Sequence, residues 1–455
     1  MKSQRLLGRL AVLLLACTAG AASATEWPIQ ERTLDNGLKV VVREDHRAPV
    51  VVSQVWYRVG SSYEHSGMTG ISHVLEHMMF KGTKKHPAGE FSEIIARQGG
   101  RQNAFTARDY TTYFEQLASD RLEIALKLEA DRMHNLKLDP GEFRKERDVV
   151  VEERRLRVAD QPDGRFSERY NTLVYPASPY GHPIIGWPED LKALQLSDIQ
   201  DWYRRWYAPG NATLVVVGDV KPGEVFDLAE KYFGPIPQEA VPKSRQGDRL
   251  EAPGERRIDV TDPDVDVPEL VMAYNVPSAA TIDDRSDAYA LMVLANVLDG
   301  GAGARLAEQV VRGTGLAASA GASYDAVARL DSSFQLHATP SPGGNPAALE
   351  KALRGQIQRL RDKPVSDDEL ARAKSQLLAD HLFQLDSVFY QAMQIGMLET
   401  TGIGWRELEH FQDGVNAVSA SDIQDAARRY LTSQRLTVAV LRPQQKAQDN
   451  AEAKQ

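Results

Sequence analysis

Cysteine is all but missing from this chain. Cys17 is the only one in 455 residues, and it sits in a leader-like stretch. The chain beyond it has no disulfide for bracing and no thiolate to serve as nucleophile or metal ligand. Long apolar runs are missing as well. The one candidate, "MKSQRLLGRLAVLLLACTAGAASATEW", sets Lys2, Arg5 and Arg9 before a short apolar stretch and then Ala22-Ser23-Ala24. This reads as a secretory signal peptide over residues 1–24, cut after Ala24 and too short to span a bilayer. The expectation is an exported, periplasmic protein with no transmembrane segment. "LLAC" leaves an alternative in which Cys17 is acylated and anchors the chain to lipid. Runs of Lys and Arg are also absent. The net charge is −9, and losing three leader cations and no acid takes it to −12, which argues against nucleic acid as a partner.

Histidine is scarce, with 10 in all, yet two of them stand four apart in "ISHVLEHMMFKGT" (71–83). On a helix His73 and His77 share one face, and Glu76 lies beside them. Ile71, Val74, Leu75, Met78, Met79 and Phe80 fill much of the remaining circumference, so the helix should be largely buried. Three buried polar side chains need partners, and a metal ion is a good one. Two imidazoles suit Zn²⁺, which at a catalytic site takes a third protein ligand and keeps one position open.

The chain is too long for one core, so two domains are expected. In the first, residues 25–235, "LKVVVRED" and "VVVSQVWYRVG" read as strands and "AGEFSEIIARQGG" as a helix. "NAFTARDYTTYFEQL" reads as strand, and residues 120–160 as long amphipathic helix. Residues 236–256 are Pro-, Gly- and charge-rich and read as a linker. Residues 257–445 echo the first domain, with a strand "LVMAYNVP" and a helix "DAYALMVLANVLDGG". Setting that helix's terminal glycine against Gly82 puts Leu291, Leu294 and Ala295 where His73, Glu76 and His77 sit, so the second domain carries no metal site. Residues 446–455 are a polar tail.

Every glutamate after residue 77 is a formal candidate for the third ligand. "ERDVVVEERRL" stands out because Val149 to Val151 should pin its helix to the core. Glu146 and Glu153, seven apart, share a face over two turns, with Glu152 and Arg154 flanking it. Spacing alone does not choose among them.

Together, "HVLEHMMFKGT", "NAFTARDYTTYF", "ERDVVVEE", "GHPIIGWPEDLKAL" and "YAPGNATLVVVGDV" make the chain resemble the pitrilysin/insulinase family of zinc metallopeptidases, whose signature inverts the commoner H-E-x-x-H. The resemblance is particularly to the short two-domain branch, similar to mitochondrial processing peptidase subunits. It implies two homologous α+β domains, each an antiparallel-rich sheet with helices packed on one side, facing each other around a chamber. It implies one Zn²⁺ held by His73, His77 and Glu153, with Glu146 supporting the ligands and Glu76 as general base. Peptide substrates would pair with the strand edge at Asn103, Ala104 and Phe105. Family members also bind the peptide with an Arg and, seven residues on, a Tyr from the facing domain. Arg312 matches the first, but Ala318 or Ser319 stands where the Tyr should be, with Tyr324 further along. The chain therefore looks like the zinc-bearing half of a heterodimer with a zinc-free homologue. A self-sufficient homodimer and a non-catalytic binding or scaffold protein are the alternatives.

Overall fold

The computed structural model describes residues 28–242 and 254–444. The expected leader with Cys17, residues 243–253 of the expected linker and the polar tail lie outside the described residues. Among the described residues, no helix is long and apolar enough to cross a membrane.

β-Branched runs such as "KVVVRE" and "VVVSQVWY" form strands because their stiff side chains pack well on a pleated surface. Six strands build the first sheet: β1 (Ile29–Thr33), β2 (Lys39–Glu44), β3 (Val50–Tyr57), β4 (Arg101–Thr106), β5 (Thr111–Ala118) and β6 (Ala212–Gly218), in the order β1-β2-β6-β3-β5-β4. Five build the second: β7 (Arg256–Asp262), β8 (Glu269–Val276), β9 (Ala317–Tyr324), β10 (Ser332–Pro340) and β11 (Leu436–Pro443), in the order β7-β11-β8-β10-β9. Without β1 the two orders are the same. In each sheet one pair is parallel, β2 with β6 and β7 with β11, and the other pairings are antiparallel. The chain is thus a duplicated α+β unit with mostly antiparallel sheets.

Two expectations need correction. "NAFTARDYTTYFEQL" is not one strand but the hairpin β4–β5, turned where Ala107 N–H donates to Tyr110 O (2.8 Å). Val149 does not pin its helix to the core. It is 48% exposed, while Val150 is fully buried. The helices of each half leave the opposite face of its sheet to the other half. The first half's own helices bury Val40, Val42, Val51 and Val55 on one face. On the other face Val41, Val52, Trp56, Val215 and Val217 pack against Ala392 and Ile395 of the second half's helix Val388–Thr401. That contact needs Gly396, where an added Cβ would lie 2.0 Å from the Trp56 ring. In return Phe166, Tyr170 and Val174 of helix Pro162–Val174 cover Val260, Val271, Ala273, Ala439 and Leu441 of the second sheet. The unbroken valine runs of β2 and β6 are the pattern of strands buried on both faces.

Candidate metal centre

Helix Ile71–Met78 follows β3 and lies in the first core through Ile71, Val74, Leu75 and Met78. Its opposite face carries His73, Glu76 and His77, whose spacing of three and four residues points them into one cleft of about 730 Å³. Helix Pro140–Arg154 crosses beside it. Asp139 caps its start by accepting from Gly141 N (2.8 Å) and Glu142 N (3.2 Å), and Phe143 and Val150 seat it.

This crossing brings Glu153 to the histidines. Its Oε2 lies 3.5 Å from His77 Nε2 and 3.8 Å from His73 Nε2. Glu152 turns outward to Arg155 (2.6 Å). Glu146, two turns back on the Glu153 face, accepts from His77 Nδ1–H (3.2 Å) and from Lys81 Nζ (2.7 Å). A carboxylate can only accept here, so His77 carries a proton on Nδ1, and in the neutral ring Nε2 keeps the lone pair that faces Glu153. Burial, then His77 and Arg157, holds the pKa of His73 down to about 3, which keeps that ring neutral. Two imidazole nitrogens and a carboxylate oxygen thus converge on one point, where a cation between them would offset the cost of burying them. Ligand atoms about 2.1 Å from a tetrahedral ion stand roughly 3.4 Å apart, close to the spacing seen. The donor set fits Zn²⁺.

Glu76 accepts from Thr106 Oγ1 of β4 (2.7 Å), and burial raises its pKa. Asn103, Ala104 and Phe105 line the same cleft. They lie on β4, which ends the sheet order and, among the described residues, pairs with β5 alone. The Asn103 side chain accepts from Ala104 N (2.9 Å). Arg312 does not reach the cleft. It lies on the π-helical turn Leu306–Gly313, is exposed, and donates to Ala302 O. Ala318 and Ser319 are exposed on β9, and Tyr324 OH donates to Pro277 O (2.7 Å) within its own half. In the second half Leu291, Leu294 and Ala295 are core. The face of helix Arg285–Asp299 turned to the cavity of about 770 Å³ between the halves carries Arg285, Ala288, Tyr289 and Met292 instead.

Sequence reasoning missed Thr106, His182 and Arg157, which also line the cleft, and Arg157 pairs with Glu153 Oε1 (2.6 Å). His182 lies in the motif "GHPIIGWPEDL", where its only signal was a histidine beside a proline-bounded loop.

A duplicated α+β chain with two imidazoles, a glutamate from a second helix and a further half-buried glutamate beside them has the parts of a zinc peptidase. Residues 39–186 match the insulinase (peptidase M16) domain, and residues 193–377 match the peptidase M16 inactive domain. The second match takes in helix Leu196–Trp206 and β6, and in the structure β6 belongs to the first sheet. Zinc protease PqqE of Helicobacter pylori is 34% identical over 389 residues, covering 84% of this chain and 86% of the relative. The probable mitochondrial-processing peptidase subunit beta of Arabidopsis thaliana is 26% identical over 427 residues, 92% of this chain and 79% of that one. The crystal structure of a protease from Helicobacter pylori superposes with a TM-score of 0.85 at 31% identity, over 92% of this chain and all of that chain. The chain belongs to the insulinase family, peptidase family M16.

Proposed function

We propose that this chain is an exported, periplasmic zinc-dependent endopeptidase that hydrolyses extended peptides or small unfolded proteins. It acts as the zinc-bearing subunit of a two-subunit peptidase. The observation that carries this reading is the convergence of His73 Nε2, His77 Nε2 and Glu153 Oε2 with Glu76 alongside. His73, His77 and Glu153 would hold Zn²⁺. Bound there, the ion would supply the Lewis acidity that polarises a scissile carbonyl and lowers the pKa of a water. Glu146 keeps His77 in the tautomer that can bind it.

Glu76 takes the proton of the attacking water and passes it to the departing amine. The Thr106 hydroxyl engages one of its oxygens, and the raised pKa makes the protonated, proton-delivering form accessible. The peptide lies along the open edge of β4, where its carbonyl would replace Asn103 as acceptor for Ala104 N–H, with Phe105 beside it. Main-chain pairing of this kind accepts many sequences.

Among the described residues, the second half brings none of the expected donor side chains to the carbonyl oxygen as it becomes an oxyanion. Arg312 is remote, Ala318 and Ser319 have no phenol, and Tyr324 OH is engaged by Pro277. A zinc-free homologue would provide that donor across the cleft, and the processing-peptidase relative carries the name of a subunit. The self-sufficient homodimer is the competing assembly. To test this, the purified chain is analysed for zinc and assayed on a mixed pool of unstructured peptides, alone and with a zinc-free homologue. One zinc per chain is expected, with cleavage that chelation abolishes and that rises by about two or three orders of magnitude with the partner, as one oxyanion donor contributes. Full activity from the chain alone, indifferent to any partner, would leave the homodimer; zinc binding without any cleavage would leave a scaffold.

A further inference from the structure

Helix Ile71–Met78 begins at Gly70 and has no side-chain cap of its own. A helix start leaves backbone N–H groups without partners, and burying them unpaired is costly. Here the partner is Glu64, six residues earlier and 5% exposed. Its Oε2 accepts from Gly70 N (2.7 Å) and its Oε1 from Ser72 N (2.9 Å). Both oxygens are therefore committed to the turn that leads into His73.

A second element presses on the same turn. Gly70 and Gly186 both have positive φ, 85° and 87°, and their backbones touch. A Cβ on Gly186 would lie 2.5 Å from Thr69 O and 2.6 Å from Gly70 Cα, and one on Gly70 2.7 Å from Ile185 O. Asp190 Oδ2 accepts from Thr69 Oγ1 (2.7 Å) and Thr69 N (3.2 Å), and Thr69 Oγ1 accepts from Trp187 N (2.9 Å). From the far side Arg154, the residue after Glu153, donates from Nε to Gly186 O (2.8 Å) and also pairs with Glu168. The segment 185–190 is thus wedged between the starting turn of the histidine helix and the end of the glutamate helix.

We infer that Glu64 and Arg154, acting through this wedge, are positioning residues of the metal centre that set the distance between the two histidines and Glu153. Neither touches the ion or the substrate. This rests on the zinc peptidase reading, since only there do the two helices share a bound ligand. Glu64→Gln keeps one acceptor and turns an amide N–H toward a backbone N–H. Arg154→Met keeps the stem and removes the donor to Gly186.

The test measures zinc affinity by chelator competition and the visible absorption of the Co²⁺-loaded chain, with folding checked by circular dichroism. Glu152→Gln, an exposed neighbour, serves as the control. Each variant is expected to bind zinc about 10- to 100-fold more weakly, the usual cost of losing a residue that supports a ligand. Its Co²⁺ bands should shift, and kcat should fall with KM unchanged; a general loss of stability would leave the bands of the folded fraction in place. Should Glu64→Gln fail to fold, Arg154→Met carries the test, with Arg154→Lys restoring part of the affinity. Folded variants with wild-type zinc affinity and Co²⁺ bands overturn the inference. A wild-type chain that binds zinc but cleaves nothing overturns the peptidase reading alone, because affinity and bands still report on the wedge. A wild-type chain that binds no zinc overturns both.

Discussion

The two halves share a sheet order but differ in what they bury. Among the described residues the first half buries eight charged side chains: Asp45, Glu64, Asp109, Glu115, Glu129, Asp131, Arg132 and Arg154. The second buries only Asp262. The helices after β3 and β8 show the same contrast. Helix Arg285–Asp299 caps itself through Asp284, which accepts from Ser286 N (2.9 Å), and its nine buried residues are apolar apart from the Tyr289 hydroxyl, which donates to Glu407 (2.6 Å). Helix Ile71–Met78 is half as long, borrows its cap from Glu64 and turns three titratable groups to a cleft. One frame thus carries a cleft of titratable groups in one copy and apolar packing in the other. Charge near the cleft must be held by further charge, while the apolar copy needs none.

The contrast breaks most sharply at Glu76. Glu76→Gln keeps the side chain's size but removes its ability to accept a proton, so hydrolysis should fall about a hundred- to ten-thousandfold while zinc content stays near one per chain. Glu153→Gln should instead weaken or strip the metal, since a neutral amide is a poor zinc ligand. If zinc is lost with Glu76→Gln, or kept in full with Glu153→Gln, the two roles have been exchanged. No substitution at Ala288 or Met292 on the second half's cavity face should do either.

The next effect concerns stability. Arg132 is buried between Glu115 and Glu129 and beneath the rings of Phe91 and Tyr113, each 4.5 Å away. Arg132→Met would leave two buried carboxyls without their cation, and breaking such a group typically costs about 3–5 kcal/mol. The second half's nearest counterpart is Arg305 with Glu369, joined by hydrogen bonds of 2.7 and 2.9 Å but partly exposed. Arg305→Met should cost about 1 kcal/mol or less, as partly solvated pairs do. Urea unfolding of both variants measures the difference, and equal costs would mean that burying charge in the first half carries no special penalty.

Much of this was legible in the sequence because periodicity is local. The spacing of His73, Glu76 and His77 puts them on one face whatever the rest of the chain does, and the valine runs mark strands. The choice between Glu152 and Glu153 was not local. It depends on where two helices cross, which turns Glu153 rather than Glu152 to the histidines. The β4–β5 turn escaped because Ala107 to Tyr110 contain neither glycine nor proline. Glu64 escaped because a carboxylate that caps a helix from six residues away has no motif. One signal was present and unused: Ser197-Asp198-Ile199-Gln200-Asp201 recurs as Ser421-Asp422-Ile423-Gln424-Asp425. Both copies open helices with capping boxes, through Asp198 and Asp422. That repeat would have aligned β6 with β11 directly. The exchange of helices Pro162–Val174 and Val388–Thr401 between halves is a long-range packing fact that no window of sequence contains.

The smallest effect is one of sign. Burial, countered by the hydrogen bonds from Ser72 and Gly70 and reinforced by nearby Asp190, pushes the Glu64 carboxyl up from 4.5 to about 7. The Arg305 guanidinium, with help from Ser366, draws Glu369 down from 4.5 to about 2. A carboxyl with a raised folded pKa holds its proton more tightly in the native state. Its contribution is complete below pH 4.5 and is lost as pH climbs through 7. A carboxyl with a lowered pKa contributes above pH 4.5 and loses that contribution as pH falls toward 2. The first half's buried acid and the second half's ion pair therefore tilt stability in opposite directions over neighbouring windows. Each involves at most one proton, or about 1.4 kcal/mol per pH unit, and less for Glu369 because solvent screens it. Unfolding free energies measured from about pH 3 to pH 8 for the wild type, Glu64→Gln and Glu369→Gln separate the two. Glu64→Gln should flatten the decline between pH 4.5 and 7 and leave the acid limb alone, while Glu369→Gln should soften the acid limb and leave the neutral range alone. If Glu64→Gln left the neutral limb as steep as in the wild type, another buried acid of the first half, Glu115 first among them, would be carrying that proton.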